Sequence, residues 1–331
     1  MGKLLLARAL TRCLVAAAFL TSPLLAQSNA PVPNAETRER EHGQTQDLII
    51  GERDSRMTVP VFIGGQGPFP FVIDTGAERT VLSRQLAERL QLTEAARIMV
   101  HGIANSEEVR TVRAPNVAIG SSAITINQAP LFEASDIGAA GLLGVDALTR
   151  QRVVIDFKAR TMSVSPSSEP IERVSGDTIV VRAMPYHGRL MFKHAIVGSR
   201  RTMVMIDTGS QDTLGNPALL AALGRHVVIE PEPVMIETIT GKAVSARLGK
   251  IDEITIDDVR LTNIYVAFAD VSGFRVLGHG NQPALLLGMN VMRAFDRVSI
   301  DFAQRRVRFT FPHRESRNEV RLAAASDPQN R

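Results

Sequence analysis

The sequence predicts an all-β protein with two similar lobes related by a pseudo-two-fold axis, and two observations favour this architecture. The middle of the 331-residue chain contains one sequence twice, with the matching segments in the same order. Each copy consists of short apolar or alternating runs separated by glycine and proline, a pattern typical of strands and hairpins. We therefore expect two β-barrel-like lobes of roughly 110 residues each, a size within the range of ordinary domains.

The repeat is defined by segments that match closely in both type and order. Three pairs match, at offsets of 133, 144 and 145 residues: Phe71–Ala77 with Val204–Ser210, Leu142–Asp146 with Leu286–Asn290, and Val154–Phe157 with Ser299–Phe302. The offset grows along the chain because the second copy carries small insertions. The largest insertion falls in the glycine-rich stretch Val271–Pro283, where we expect it to reshape one end of any cleft between the lobes.

Strands and helices are predicted from the spacing of apolar residues. The strand-like runs are Val59–Ile63, Phe69–Ile73, Arg152–Val164 and Arg297–Phe311. The first two are separated by glycine and proline, which indicates a hairpin. Helical spacing occurs only in Ser83–Leu92 and Pro217–His226, each soon after an Asp-Thr-Gly sequence.

The first 26 residues have the layout of a secretory signal peptide, with a basic start, an apolar stretch and small residues before Ala26. The apolar stretch is shorter than the about 20 residues that a membrane-spanning helix needs. We expect cleavage after Ala26, export to the periplasm or the medium, and no stable membrane insertion afterwards; retention as an anchor is the alternative. The only cysteine, Cys13, lies here, so a mature chain would lack disulfides, cysteine nucleophiles and thiolate metal sites.

The remaining boundaries follow from composition. Residues 27–54 are polar and contain two prolines, which indicates a flexible linker, with a pro-segment as the alternative. Residues 55–170 are expected to form the N-terminal lobe and residues 171–312 the C-terminal lobe. Residues 313–331 form a polar tail.

Charge and histidine spacing exclude several classes of function. The formal net charge is +4, but the first 26 residues hold three of the 38 basic residues, which leaves 35 against 34 acidic ones. No basic block that would neutralise nucleic-acid phosphates remains, so we expect no nucleic-acid partner. The seven histidines are scattered without metal-ligand spacing, and we expect no metal and no cofactor.

The repeated Asp-Thr-Gly places an aspartate at the end of each of two apolar strands. A buried carboxylate is costly unless it is hydrogen-bonded, and the glycine that follows lets the backbone turn so that amides face the carboxylate. If the two copies pack about a two-fold axis, Asp74 and Asp207 meet face to face. Two such carboxyls share a proton and can activate a water molecule for attack on a peptide carbonyl.

These motifs resemble those of the retropepsin-like and pepsin-like aspartic proteases, as a single-chain, duplicated version of the kind found in exported bacterial proteins. The resemblance covers about residues 55–165 and 177–312 and rests on both Asp-Thr-Gly loops and both Leu-Leu-Gly elements. It implies a bilobal all-β aspartic-protease fold, a protein or peptide substrate, a monomer with pseudo-two-fold symmetry, and Asp74 and Asp207 as the catalytic pair. The supporting loop residues would be Thr75, Gly76, Ala77, Thr208, Gly209 and Ser210. The candidate flap tips would be Ile103, Ala104, Asn105, Ile239, Thr240 and Gly241.

The sequence departs from the family pattern at several positions. The only tyrosines, Tyr186 and Tyr265, fall outside the expected flaps, whereas pepsin-like enzymes carry a flap tyrosine. Val145 and Met289 stand where retropepsins commonly have a basic residue. Ser210 follows the second Asp-Thr-Gly where the first copy has alanine, and a hydroxyl donated to Asp207 would make Asp207 the charged member of the pair.

Alternative interpretations remain open at this level. The main alternative to an endopeptidase is a peptide-binding module or pseudoprotease that uses the same cleft without turnover. A two-carboxylate glycosidase is disfavoured because the chain has no tryptophan and only 5% aromatic residues. The repeated Asp156 and Asp301 are expected to cap turns or to pair locally rather than to take part in catalysis.

Overall fold

The two copies of the repeat fold into two β-rich lobes with equivalent strands. The computed structural model describes residues 48–49, 57–101, 106–171, 176–186, 188–237, 242–276, 278–312 and 319–321. The predicted signal peptide lies outside these residues. Of the predicted linker only Leu48–Ile49 is described, and of the polar tail only Glu319–Arg321.

The N-terminal part contains ten strands and three short helices within the described residues. The strands are β1 (Leu48–Ile49), β2 (Thr58–Ile63), β3 (Gln66–Ile73), β4 (Val81–Ser83), β5 (Thr93–His101), β6 (Ser106–Ile119), β7 (Ser122–Phe132), β8 (Gly141–Leu143), β9 (Gln151–Asp156) and β10 (Thr161–Pro166). The helices are α1 (Arg84–Arg89), α2 (Ala134–Ile137) and α3 (Val145–Leu148).

The C-terminal part repeats this order with additions. Its strands in the described residues are β11 (Thr178–Arg182), β12 (Met184–Tyr186), β13 (Arg189–Val197), β14 (Arg200–Ile206), β15 (Leu214–Gly215), β16 (Val227–Glu237), β17 (Ala243–Ile256), β18 (Val259–Phe268), β19 (Ala284–Leu287), β20 (Arg297–Asp301), β21 (Arg306–Thr310) and β22 (Glu319–Arg321). Its helices are α4 (Pro217–Leu223), α5 (Ser272–Val276) and α6 (Met289–Met292), with a 3-10 turn at Gly224–His226.

Each lobe is one sheet that curls back on itself. The N-terminal sheet has the order β2-β3-β8-β4-β7-β6-β5, and β2 also pairs with β6. The C-terminal sheet has the order β12-β13-β14-β19-β15-β18-β17-β16, with β13 also paired to β17 and β22 added in parallel beside β18. In both lobes the strand before Asp-Thr-Gly pairs in parallel with the Leu-Leu-Gly strand, Val72 opposite Leu142 and Met205 opposite Leu286. This equivalence confirms the predicted duplicated, bilobal all-β fold.

The predicted hairpins and the two predicted helices form for local reasons. β2 and β3 make the first hairpin around Gly64 and Gly65, whose positive φ values of 58° and 79° suit glycine. Helix α1 begins after Ser83, whose hydroxyl accepts from the Leu86 amide at 3.1 Å, and α4 begins after Asn216 with proline at its first position. The short helices α2, α3, α5 and α6 were not predicted because a single turn is too short to show a periodic pattern.

A third sheet joins the lobes. Its order is β1-β10-β9-β20-β21-β11, and its centre is the antiparallel pair β9–β20, with one strand from each copy. One face of this sheet is apolar and buried, and it includes Val153, Ile155, Val298 and Ile300. Because each lobe contributes half of this core, the two halves cannot separate without exposing it.

The repeated aspartates Asp156 and Asp301 lie on the opposite, polar face of this sheet. Each caps a turn, as predicted, by accepting a backbone amide, Ala159 at 2.7 Å and Gln304 at 2.8 Å. Each also faces an arginine of the other lobe, Arg297 opposite Asp156 and Arg152 opposite Asp301. Their pairing is therefore between lobes as well as local. No described helix is long and apolar enough to cross a membrane.

Candidate active site

The two Asp-Thr-Gly loops leave equivalent strands, one in each lobe, and meet between the lobes. Asp74 follows β3, and its amide donates to the Leu143 carbonyl at 3.0 Å; Asp207 follows β14, and its amide donates to the Leu287 carbonyl at 3.0 Å. Each loop is thus attached to the Leu-Leu-Gly strand of its own lobe. The loops are positioned by the parallel strand pairs in the centre of each sheet rather than by flexible connections.

Two threonines lock the loops together by reciprocal hydrogen bonds. The Thr75 hydroxyl donates to the Ile206 carbonyl and the Thr208 hydroxyl to the Ile73 carbonyl, both at 2.7 Å. The Thr75 amide donates to the Thr208 hydroxyl at 3.1 Å, and the Thr208 amide donates to the Thr75 hydroxyl at 3.2 Å. Both side chains are buried, so these four bonds are shielded from water and hold the two lobes in one register.

The glycines of the two loops are required by a close approach. A Cβ atom on Gly76 would lie 2.7 Å from Cγ of Asp207, and one on Gly209 would overlap the carboxyl group of Asp74. Each glycine therefore packs against the aspartate of the opposite lobe. A larger residue at either position would push the two carboxyls apart.

The carboxyl groups of Asp74 and Asp207 meet between the loops, since Gly76 packs against the Asp207 carboxyl and Gly209 against the Asp74 carboxyl, and each carboxyl shifts the pKa of the other. Asp74 Oδ1 accepts the amides of Gly76 at 2.8 Å and Ala77 at 2.9 Å. Asp207 Oδ1 accepts the amides of Gly209 at 3.0 Å and Ser210 at 3.1 Å. Asp207 is 7% exposed and Asp74 is half-buried. Two carboxyls close enough to shift one another's pKa share a proton, so the pair has one acidic and one basic member.

Burial is the main cause of the raised pKa values of this pair. Desolvation raises the pKa of both carboxyls, and the neighbouring charge of Asp74 raises the pKa of Asp207 further, to about 8. The backbone amides at each loop oppose this shift because they stabilise the charged form. For Asp74 the carboxyl of Asp207 and, to a smaller extent, the positive charge of Arg189 also lower the pKa, whereas for Asp207 the contact with Asp74 raises it.

The expectation that Ser210 makes Asp207 the charged member is wrong. The Ser210 hydroxyl donates to the Asp212 carbonyl at 2.6 Å, and only the Ser210 amide reaches Asp207. Ala77 in the first copy provides an equivalent amide to Asp74, so this position does not distinguish the lobes. The raised pKa of Asp207 points instead to Asp207 as the protonated member.

Arg189 was missed by the sequence analysis although it reaches this site. Its Nε donates to the carbonyl oxygen of Gly76, 113 residues earlier in the chain, at 2.5 Å. At the repeat offset of 133, Arg189 matches Arg56 in the sequence. An arginine that recurs at matched positions of the two copies was the signal that could have pointed to Arg189. Arg56 lies outside the described residues.

The Leu-Leu-Gly elements support the loops from behind. In the N-terminal lobe the Thr80 hydroxyl donates to Asp146 at 2.6 Å and accepts from the Gly144 amide at 3.2 Å. In the C-terminal lobe Thr213 donates to Asn290 at 2.7 Å and accepts from the Gly288 amide at 3.0 Å. The two Leu-Leu-Gly elements therefore make equivalent hydrogen bonds to the threonine of their own lobe, as their matching sequences suggest.

The strands on both sides of the predicted flaps form hairpins in each lobe. β5 pairs with β6 up to His101 opposite Ser106, and β16 pairs with β17 up to Glu237 opposite Ala243. The predicted tip residues Ile103, Ala104, Asn105, Ile239, Thr240 and Gly241 lie outside the described residues. The role of these tips therefore stays a prediction.

Each lobe has a small apolar cluster that includes a residue of its Asp-Thr-Gly segment or of the strand before it. In the N-terminal lobe Ala77, Ile98 and Val100 pack against a buried cluster that includes Phe132 and Leu142. In the C-terminal lobe Val234 and Ile236 of β16 pack against an equivalent cluster that includes Met205 and Leu286. Among the described residues, no group of three or more histidine, cysteine, aspartate or glutamate side chains could hold a metal ion.

The raised pKa of Asp207 predicts how the stability of the fold changes with pH. A folded-state pKa of about 8 lies above the ordinary value of 3.8, so the folded chain binds more protons between these values and stability falls as pH rises through them. We expect the unfolding free energy to fall between about pH 5 and about pH 8 in the unmodified chain and to fall less in Asp207→Asn. The difference between the two falls is expected to be at least about 1.4 kcal/mol, the equivalent of one pKa unit. Urea titrations at both pH values measure this, and equal falls would contradict it.

Comparison with known proteins agrees with this arrangement. The family model described as aspartyl protease matches the chain twice, over residues 59–147 and 194–291, which together make up more than half of the sequence. Each match contains one Asp-Thr-Gly loop and one Leu-Leu-Gly element. No curated protein matches the chain.

Proposed function

Because the chain belongs to the aspartyl protease family, we propose that it is an aspartic endopeptidase that hydrolyses peptide bonds with a water molecule activated between Asp74 and Asp207. The observation that carries this proposal is the meeting of one carboxyl from each lobe, held together by the threonine bonds and by the packing of each glycine against the opposite aspartate. The same pair with only one carboxyl, or with the two far apart, could bind a peptide but could not share a proton in this way.

The chemistry requires one charged and one protonated carboxyl at the start of the reaction. The charged member takes a proton from water as the water oxygen bonds to the peptide carbonyl carbon, and the protonated member gives its proton to the carbonyl oxygen. The resulting diol collapses when the carbon–nitrogen bond breaks. The nitrogen receives the proton held by the first carboxyl, and a diol hydroxyl returns a proton to the second, which restores the pair.

The raised pKa of Asp207 supports this cycle, since a carboxyl with a pKa of about 8 is protonated at neutral pH and can donate to the carbonyl oxygen. The loop contacts support it as well, because the threonine network fixes both carboxyls before substrate binds. Preorganised groups of this kind lower the reaction barrier without reorganisation at the moment of reaction. The partly exposed apolar residues of β5 and β16 favour substrates with apolar side chains beside the cleaved bond.

The test is a cleavage assay on the full chain with a peptide library, read by mass spectrometry. In water enriched in oxygen-18, each new carboxyl terminus is expected to gain one heavy oxygen from the attacking water. Added hydroxylamine is expected to give no hydroxamate, because no acyl-enzyme forms. The Asp74→Asn/Asp207→Asn double variant controls for a contaminating protease. Peptide binding without cleavage at any pH would favour a binding module, and hydroxamate formation would contradict the mechanism.

A further inference from the structure

Arg189 connects the C-terminal lobe to the catalytic loop of the N-terminal lobe. It is the first residue of β13, directly after Gly188, where a Cβ atom would lie 2.9 Å from Cγ2 of Val145 in the N-terminal lobe. Gly188 therefore lies close to the Leu-Leu-Gly element of the opposite lobe. This packing aims the half-buried Arg189 side chain at Gly76.

The guanidinium binds the peptide group that holds Asp74. Arg189 Nε donates to the Gly76 carbonyl at 2.5 Å, and the amide of the same peptide group, that of Ala77, donates to Asp74 Oδ1 at 2.9 Å. A charged donor on the carbonyl polarises the peptide group and strengthens donation by its N–H. Arg189 thus acts on the Asp74 carboxylate both through this peptide group and through its own charge.

The charges around the two aspartates differ in the described part of the chain. Asp74 faces the carboxyl of Asp207 from the opposite loop and the positive Arg189 from β13, and both lower its pKa. Asp207 faces Asp74, and the other groups that shift its pKa are the backbone amides of Gly209 and Ser210. The exposed Glu78 and Arg79 follow the first loop, but neither shifts the pKa of Asp74. The two carboxyls are equivalent by sequence, but among the described residues only Asp74 has an arginine that lowers its pKa.

We propose that Arg189 is a positioning residue that makes Asp74 the carboxylate and Asp207 the acid of the catalytic pair. The inference rests on the proposed function, since it assigns the two roles of that reaction to particular residues. Asp74 then takes the proton from the attacking water, and Asp207 donates to the carbonyl oxygen. Arg189 itself touches neither substrate nor water in this scheme.

The first test is the pH dependence of kcat/KM. Removing the positive charge in Arg189→Met is expected to raise the apparent pKa of the acidic limb by about one unit, because the charged form of Asp74 loses a favourable neighbour. Arg189→Lys keeps the charge and is expected to keep the limb near its original position. Arg182→Met, at an exposed position on β11, controls for loss of a surface charge. A lower rate at every pH with an unmoved limb would show a structural role and overturn the proposal.

The second test needs no substrate and therefore separates this inference from the proposed function. Carbon-13 NMR of the aspartate carboxyls measures the pKa of Asp74 in an Asp207→Asn chain and of Asp207 in an Asp74→Asn chain. Adding Arg189→Met is expected to raise the first by about one unit and the second by less than half as much. Arg56→Met, at the matched position of the repeat, is not expected to shift either aspartate pKa by as much as about one unit.

The outcomes of the NMR titration separate the role of Arg189 from the proposed peptidase function. If Arg189→Met leaves Asp74 unchanged, or if it shifts both aspartates equally, the assignment of roles is wrong. If Arg56→Met shifts Asp207 as strongly as Arg189→Met shifts Asp74, the two sides are equivalent and the proposal fails. If the expected shift occurs in a chain that cleaves no peptide, the assignment of charge stands and the proposed function fails.

Discussion

Replacing Asp74 with asparagine is expected to reduce peptide hydrolysis by at least about a thousandfold, because an amide can neither accept the proton of the attacking water nor share one with Asp207. Asp207→Asn is expected to cause a loss of the same order, since the carbonyl oxygen then has no acid to take a proton from. Initial rates on the best peptide of the library measure both losses.

The control for these variants is the stability of the fold. Asparagine has the size of aspartate, and it removes the repulsion between two buried carboxyls, so neither variant is expected to unfold more readily than the unmodified chain. A substantial loss of stability would make the activity comparison uninformative about chemistry, and the NMR titrations of each single variant check that the loops keep their structure. Full activity in either single variant would contradict shared catalysis.

Arg152→Met is expected to destabilise the protein by about 3–5 kcal/mol, because it leaves the carboxylate of Asp301 buried without its partner. Arg152 is 3% exposed and Asp301 is 0% exposed, with Nε and Oδ2 3.1 Å apart. The guanidinium also donates to the carbonyls of Ser167 at 2.9 Å and Glu169 at 3.1 Å, which lose their donor as well. Urea unfolding, followed by circular dichroism, measures the change.

The pseudo-symmetry of the sheet offers a matched control. Arg297 and Asp156 form the equivalent pair, also at 3.1 Å, but their side chains are 19% and 18% exposed. Water compensates for a lost partner there, so Arg297→Met is expected to cost about 1 kcal/mol. Adding Asp301→Asn to Arg152→Met is expected to recover part of the loss by removing the unpaired charge. Equal losses at Arg152 and Arg297 would show that burial does not set the cost.

The ion pairs Arg152–Asp301 and Arg297–Asp156 also join the two lobes. The sequence predicts that Asp156 and Asp301 cap turns or pair locally, and the capping contacts agree with this. It could not foresee the arginine partners, because each lies on a strand of the other lobe, and Arg152 and Asp301 are 149 residues apart. The same arrangement leaves the Arg152–Asp301 pair fully buried and the Arg297–Asp156 pair partly exposed.

The sequence alone determined the duplicated architecture and the identity of the candidate pair. Apolar periodicity and glycine positions report local conformation, and the repetition of Asp-Thr-Gly in two equivalent contexts implied a two-fold relation between Asp74 and Asp207. The tertiary structure decided which groups surround these residues. It directed the Ser210 hydroxyl to Asp212 and brought Arg189 to the loop of the opposite lobe. The charge of a carboxyl depends on groups within a few ångströms in space, and neither a repeat nor a spacing specifies which distant residues those are.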